Sequence, residues 1–486
     1  MSRPLNVLWM VTDHQAHGNR AAAPQINPLQ ARLASEGTRF ARARSVLPVC
    51  SPARASMLTG LYPHAHGLTE NDGRFGGRAG LDTGDRLIHQ AFLESGYRCA
   101  WFGKWHVDNR RSAGDYGFEG FSLPGYGYPY GTADYRDYLE RKGLAPPIAI
   151  IEMPGESGVA IGTKVSLTEA EDWFEYESGV AQLDGPAEVH EAFFLADLAG
   201  TWLESIGDAP FFVRIDPWGP HPPYTLSPPF LGLLQQSGVG LPANFSLDLT
   251  DRPAHHRRYR DYWSRTLSFG AEAWRSLTMR ALECGALVET ALIRILDTVD
   301  RLGLVDRTLV IFTADHGDAV GSNGGIANKG GLMVEETMRI PLALRGPRIP
   351  AGRTCDHLVS NLDIPQTILG MTGIAGGAGC HGRSLLEADG GLPSSGRRGL
   401  MVQHYGLHEP VVQRAYYWND WKLVVQEDGF AELYNLATDP CEMQNRAGSA
   451  EHRCILRRLW SELQETMEET GDCDPRLVNI LNGPGG

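Results

Sequence analysis

The chain has 486 residues, 42% of them hydrophobic, and a formal net charge of −14. That length and apolar content can bury a large core, which excludes a disordered or fibrous protein. The negative balance excludes a general affinity for nucleic acid or anionic membranes, so any anion site must be a local basic pocket.

In chain order, MSRPLNVLWMVTD runs directly into a short apolar segment, NVLWMVT (6 to 12), with the length of a buried strand. The start lacks the apolar region and cleavage site of a signal peptide. No apolar run in the sequence is long enough to span a bilayer, so a cytoplasmic location is expected. INPLQARLASEG reads as a helix stopped by Gly37, and ALVETALIRILDTVDRLG as a second helix ending at Gly303. Further strands are predicted at RCAWF (98 to 102), PFFVRI (210 to 215), RTLVIFT (307 to 313) and IPLAL (340 to 344). Such alternation points to an α/β fold with a large, mostly parallel sheet sandwiched by helices. The stretch from 107 to 200 contains GDYGFEGFSLPGYGYPYGTADY and reads as an elaborated surface loop. Later, LMVQHY, AYYWND, WKLVVQ and FAELYNL look like antiparallel strands, with EDG (427 to 429) as a turn. A helix from about 450 to 469 and a loose NGPGG tail complete the chain. The expected organisation is a large α/β domain over 1–395 and a smaller α+β subdomain with an antiparallel sheet over 396–486. Eight cysteines (Cys50, Cys99, Cys284, Cys355, Cys380, Cys441, Cys454, Cys473) are scattered without a CxxC pair. They read as reduced thiols, all but Cys50 as small buried hydrophobes.

Polar residues stand directly after the predicted strands, where open parallel sheets bind ligands. Asp13-His14 follows the first strand, Lys104 and His106 follow RCAWF, and DPWGPHPPY with His221 follows FFVRI. Asp315-His316-Gly317-Asp318 follows VIFTA, and its carboxylates and imidazole suit a divalent cation. Singly, each has a plain structural reading as a cap, turn or core residue. Their recurrence at one end of a sheet argues for a site.

VCSPARASMLTG (49 to 60) adds a nucleophile. Pro52 suits a helix's first turn and Gly60 its end, making Cys50 or Ser51 the cap at the positive end of the dipole. With Arg54 one turn in, these surroundings predict a lowered thiol pKa and a nucleophilic cysteine.

With these residues assembled, the chain resembles the type I, formylglycine-dependent sulfatases of the alkaline-phosphatase-like superfamily. CSPARASMLTG matches their CxPxR signature, and GYRCAWFGKWH resembles their second signature. The likeness continues through PWGPHPPY, TADHGDAVG, NKGG (328 to 331) and ELYNLATDPCEMQN (432 to 445). The resemblance implies that a separate formylglycine-generating enzyme converts Cys50 to Cα-formylglycine. The nucleophile is then one hydroxyl of a hydrated aldehyde, and loss of a proton from the second hydroxyl expels sulfate. It further implies Asp13, Cys50, Asp315 and His316 as metal ligands. Calcium is expected first, with manganese as the alternative. Many relatives carry a second acid where this chain has His14, which is therefore read only as a neighbour. Arg54 and Lys104 are implied to hold the formylglycine and offset sulfate charge, with Asp315 also available to the proton of the attacking hydroxyl. His106 is implied as base, and His221 and Lys329 as sulfate-binding groups that assist the leaving oxygen.

The expected substrate is a small-molecule or oligosaccharide sulfate ester, with a sulfated sugar favoured over an aryl sulfate. Trp218, Tyr224 and Asn71 are expected to bind it, and Trp101, His64, His66 and His404-Tyr405 are further candidates for the leaving-group pocket. Two alternatives remain: a phosphonate monoester or phosphodiester hydrolase of the same superfamily, disfavoured by Lys104 and His106, and a non-catalytic anion-binding homologue. No nucleic-acid or membrane partner is expected, and the oligomeric state, including a homo-oligomer, is open.

Overall fold

The first strand is buried throughout, and the alternation of its side chains between two faces sets the layering. In the computed structural model, Leu8 and Met10 pack into one apolar layer and Val7, Trp9 and Val11 into the other. The structure describes residues 3–16, 26–155, 158–169, 179–234, 239–267, 270–377 and 379–481. The NGPGG tail lies outside them.

The strands in chain order are β1 (Asn6–Thr12), β2 (Thr38–Arg44), β3 (Arg98–Lys104), β4 (Glu119–Leu123), β5 (Ile148–Met153), β6 (Lys164–Ser166), β7 (Val180–Leu183), β8 (Phe211–Asp216), β9 (Tyr224–Leu226), β10 (Thr308–Ala314), β11 (Leu342–Arg345), β12 (Arg353–Ser360), β13 (Leu400–Gly406), β14 (Pro410–Trp418), β15 (Trp421–Gln426) and β16 (Ala431–Asn435). Eight of them form the main sheet, in the order β12-β2-β11-β10-β1-β8-β3-β4. Pairing is parallel from β10 through β1, β8 and β3 to β4, and between β12 and β2, whereas β11 is antiparallel to both neighbours. Helices Pro28–Glu36, Glu191–Ser205 and Ala271–Arg301 cover one face through Leu29, Leu33, Phe194 and Leu292. Helices Cys50–Thr59 and Ile364–Thr372 cover the other through Met57, Leu58 and Ile368. This is the expected mostly parallel sheet between helices.

Several local expectations are corrected. The stretch from 107 to 200 is more than a loop: β5, β6 and β7 join β9 in a second sheet, order β6-β5-β7-β9. These strands are three to six residues long, too short for a clear period to register. The long helix begins at Ala271, well before ALVET. β2, TRFARAR, escaped the sequence reading because its arginines disguise a strand; Arg44 is buried on Glu335, with Nη2 to Oε2 at 2.6 Å. Cys454 and Cys473 are exposed and Cys380 and Cys441 half-buried, so only the remaining cysteines are fully buried. Among the described residues, no helix is long and apolar enough to cross a membrane.

The last four strands form the antiparallel sheet β13-β14-β15-β16, backed by helix Arg453–Thr470. Met401, Val412 and Leu423 of this sheet share a core with Leu459 and Leu463 of the helix, and with Val46, Leu47 and Val49. The C-terminal sheet therefore braces the segment leading into Cys50.

Burial also fixes a pH dependence. His66, His190 and His404 are held at about 3, and the two ring nitrogens of His404 have no hydrogen-bond partner. The cause is desolvation, which disfavours the charged ring. A depressed folded pKa means that the unfolded chain takes up protons first, so stability present above about 6.5 is lost as pH falls below it. Each such histidine should remove ~1.4 kcal/mol per pH unit in that window. Urea denaturation of His404→Leu over this range should show a slope shallower by about that amount. An unchanged slope would contradict the assignment.

Candidate active site

Strand register assembles the site. Thr12 pairs with Ala314, so Asp13 and Asp315 leave the sheet side by side. Gly103 pairs with Asp216 on the next pair of strands, which brings Lys104 to the same edge. Helix Cys50–Thr59 supplies Cys50 and Arg54 and ends at Gly60, whose φ of 73° lets its N–H reach Ser56 O. Its cap is Val49, not Cys50 or Ser51; Cys50 is the first helical residue.

Donor atoms of Asp13, Cys50, Asp315 and His316 all lie within 4.8 Å of one another, and all four residues are buried. His316 Nδ1 is 2.8 Å from the Gly317 carbonyl, which assigns it the proton and leaves the Nε2 lone pair facing Cys50 Sγ at 3.1 Å. Gly317 itself is dictated by space, since a Cβ there would lie 2.0 Å from Glu336 O. Asp13 Oδ1 has no hydrogen-bond partner although buried, and such an acceptor calls for a cation. Two carboxylates, an imidazole with a free lone pair and the side chain at position 50 fit a divalent metal.

Around this group charge is closely matched. Arg54 donates to Asp315 (Nε to Oδ2, 3.0 Å) and to Asp216 (Nη1 to Oδ2, 2.6 Å), and Lys104 pairs with Asp13. Burial pushes the Asp13 carboxyl up, but Lys104 and Arg54 outweigh it and hold the group far below the usual range. Lys104 also sits 3.9 Å over the Tyr126 ring. The Cys50 thiol behaves in the opposite way to the sequence expectation. Burial pushes it up to about 11 despite Lys104 and Lys329, so with no cation bound the bare side chain is a protonated thiol at neutral pH.

A cleft of about 300 Å³ opens above Cys50, with Asn71, His106, Tyr126, His221 and Lys329 in its wall. Asn71 Oδ1 accepts the Ser51 N–H at 3.0 Å. Burial, reinforced by Lys104 and Arg54, holds His106 well below its usual pKa, and its backbone is left-handed at φ 52°. His221 Nδ1 lies 2.6 Å from the Pro222 carbonyl, which leaves Nε2 to accept from Lys329 Nζ at 3.3 Å. His14 is not in the metal group. Its ring turns to Asp318 (Nε2 to Oδ1, 3.4 Å) and Lys329 (Nδ1 to Nζ, 3.4 Å).

Other expected pocket residues stand elsewhere. Trp218 is buried, with Nε1 donating to Tyr126 O, and Tyr224 donates its hydroxyl to Asp318; neither lines the cleft. Trp101 is in the core, stacked edge-on with Trp105. His66 lies against Ser56, and His64 against Gln403 and Thr470. The C-terminal sheet reaches the cleft through Leu407 and His408, not through His404 or Tyr405. Sequence reading missed Asp216 and Arg214: Asp216 bridges Arg54 and Arg214, whose guanidinium is sandwiched 4.4 Å from both Trp9 and Trp101. Two charges in a strand as apolar as FFVRID were the available signal.

The family model described as Sulfatase matches residues 6–374. The chain belongs to the sulfatase family. It is a sulfuric ester hydrolase. A second model, N-sulphoglucosamine sulphohydrolase C-terminal, matches residues 327–469 of this sulfatase. An N-acetylglucosamine-6-O-sulfatase of Bacteroides thetaiotaomicron is 24% identical, over 97% of this chain and 88% of its own. Among solved structures, one in complex with its substrate D-glucosamine-2-N,6-O-disulfate has a TM-score of 0.71 at 21% identity, covering 98% of this chain and 99% of the other. A phosphonate monoester hydrolase of Agrobacterium radiobacter has a TM-score of 0.72 at 21% identity, covering 96% of each chain.

Proposed function

We propose that this sulfatase hydrolyses a carbohydrate sulfate ester, using formylglycine made from Cys50 and a divalent cation held by Asp13, residue 50, Asp315 and His316. The observation that carries the reading is the convergence of that buried donor group with Arg54 and Lys104 beneath a cleft walled by His106, His221 and Lys329. A cysteine at position 50 offers one nucleophilic atom and no second hydroxyl to release sulfate, which favours conversion. Formylglycine at position 50 would, as its hydrate, supply an attacking hydroxyl and a second, ionisable hydroxyl for sulfate release. The cation, calcium by the oxygen donors and manganese as the alternative, would supply positive charge for the sulfate oxygens.

Within this chain, Arg54 and Lys104 fix the carboxylates and give the site preorganised positive charge. His106, kept neutral by burial, is suited to accept a proton from residue 50. Lys329 carries a proton against His221 Nε2, so this pair is suited to deliver it to the leaving oxygen. A sugar alkoxide needs that help far more than a phenolate does. The carbohydrate preference draws support from the glucosamine-sulfate relatives.

The second reading, phosphonate monoester hydrolysis, is favoured by the similarity to the Agrobacterium radiobacter enzyme. One screen separates the two. Formylglycine-bearing protein is assayed against sulfated mono- and disaccharides, aryl sulfates and phosphonate monoesters, and the highest kcat/KM is expected for a sugar sulfate. Faster turnover of a phosphonate than of every sulfate would overturn the reading.

A further inference from the structure

Glu191 is the first residue of helix Glu191–Ser205 and is 1% exposed. Its Oε1 accepts the Gly219 N–H at 2.9 Å, and its Oε2 has no partner. Among the described residues it pairs with no lysine or arginine; the His190 ring, with Nδ1 at 3.9 Å, is neutral, and that nitrogen accepts the Ala192 N–H. Burial pushes the carboxyl up to about 8, against the lowering effect of the Gly219 N–H. A buried acid without a cation is costly, and a stabilising role for the fold alone would be met better by an apolar side chain.

What the acid holds is the turn that carries His221. Gly219 is pressed against this wall: a Cβ on it would lie 2.7 Å from Val288 Cγ2 and 3.4 Å from Glu191 Oε1. On the other side, the Asp13 N–H donates to the Gly219 carbonyl at 3.2 Å. Gly219 is thus clamped between Glu191 and Asp13, the residue that follows β1. The turn then closes with the His221 N–H on the Trp218 carbonyl at 3.3 Å, which sets the ring 3.3 Å from Lys329 Nζ.

We propose that Glu191 is a positioning residue for leaving-group protonation: by fixing Gly219 it keeps His221 against Lys329 in the wall of the cleft. This rests on the assignment of His221 and Lys329 to the leaving oxygen. A displacement of about 1 Å in such a group can cost on the order of 100-fold in rate.

The test uses formylglycine-bearing enzyme and a series of phenyl sulfates running from nitrophenyl to unsubstituted phenyl, whose leaving groups need increasing proton assistance. Glu191→Met, which keeps the bulk and removes the acceptor, should lose about ten-fold or more on phenyl sulfate but less than about three-fold on nitrophenyl sulfate. KM should hardly change. Glu191→Gln, whose amide oxygen accepts the same bond, should restore the parent's dependence on the leaving group. Glu191→Asp withdraws the carboxyl by one methylene and should show the same split in milder form; it decides the matter if Glu191→Met does not fold. His221→Ala run in parallel separates the two levels of inference. If it steepens the dependence while Glu191→Met and Glu191→Asp treat all esters alike, the positioning role is overturned. If His221→Ala itself treats all esters alike, the assignment of His221 is overturned and the role of Glu191 falls with it.

Discussion

Replacing Cys50 with serine or alanine should lower steady-state turnover by at least about 10⁴-fold, the scale on which loss of a covalent nucleophile is felt. The two variants fail for different reasons. Alanine has nothing to attack with. Serine can form a sulfate ester in the same place but lacks the second hydroxyl that would release it, so it should retain no more than one sulfate per molecule when labelled substrate is supplied. The unmodified wild-type chain belongs in the same inactive class, because a thiol lacks the second, geminal hydroxyl whose ionisation would release sulfate. Activity should therefore track the fraction of chains in which the residue-50 peptide has lost its CH2SH group in favour of an aldehyde, read by peptide mass. Full turnover from unmodified protein, or repeated turnover by Cys50→Ser, would contradict the formylglycine reading. The serine variant should fold as the parent does, since its hydroxyl takes the place of a sulfur 3.1 Å from His316 Nε2.

The parts legible in sequence were those whose cause is local. NVLWMVT, RCAWF and RTLVIFT are buried strands by composition, and Asp13, Lys104 and Asp315 were recognisable as residues at their ends. That Asp13 and Asp315 meet depends on the pairing of Thr12 with Ala314, which no local pattern encodes. Trp218 and Tyr224 flank His221 in sequence, but their polar atoms engage the Tyr126 carbonyl and Asp318 and neither residue lines the cleft, so sequence proximity alone did not place them there. The thiol expectation erred because it weighed a helix terminus and an arginine without the desolvation of a fully buried sulfur. Glu191 gave no signal, since an acid at the start of a helix is ordinary; only its burial without a cation sets it apart.

Arg54→Met should be the most destabilising single change at the site, by about 3–5 kcal/mol, because it strands buried carboxylates. Arg54 contacts Asp315 through Nε at 3.0 Å and Nη2 at 2.9 Å, Asp216 through Nη1 at 2.6 Å and Asp13 through Nη2 at 3.6 Å, with every side chain fully buried. Lys104 on Asp13 and Arg214 on Asp216 complete a set in which three cations face three carboxylates. Methionine fills the volume but removes one cation and its forked donors. A divalent cation can return charge to Asp13 and Asp315, which belong to the metal group, but not to Asp216, which does not. Urea denaturation with and without millimolar calcium should therefore show partial recovery for Arg54→Met. Adding Asp216→Asn to it should recover more, a coupling that a double-mutant cycle measures. Arg54→Lys should fall between, since one ammonium cannot serve three carboxylates at once. Activity should stay lost in all of these variants, because neutralising Asp216 or binding a cation does not replace the donors that hold Asp315 in place. An Arg54→Met protein as stable as the parent without added cation would mean that the three carboxylates are not held as charges at all.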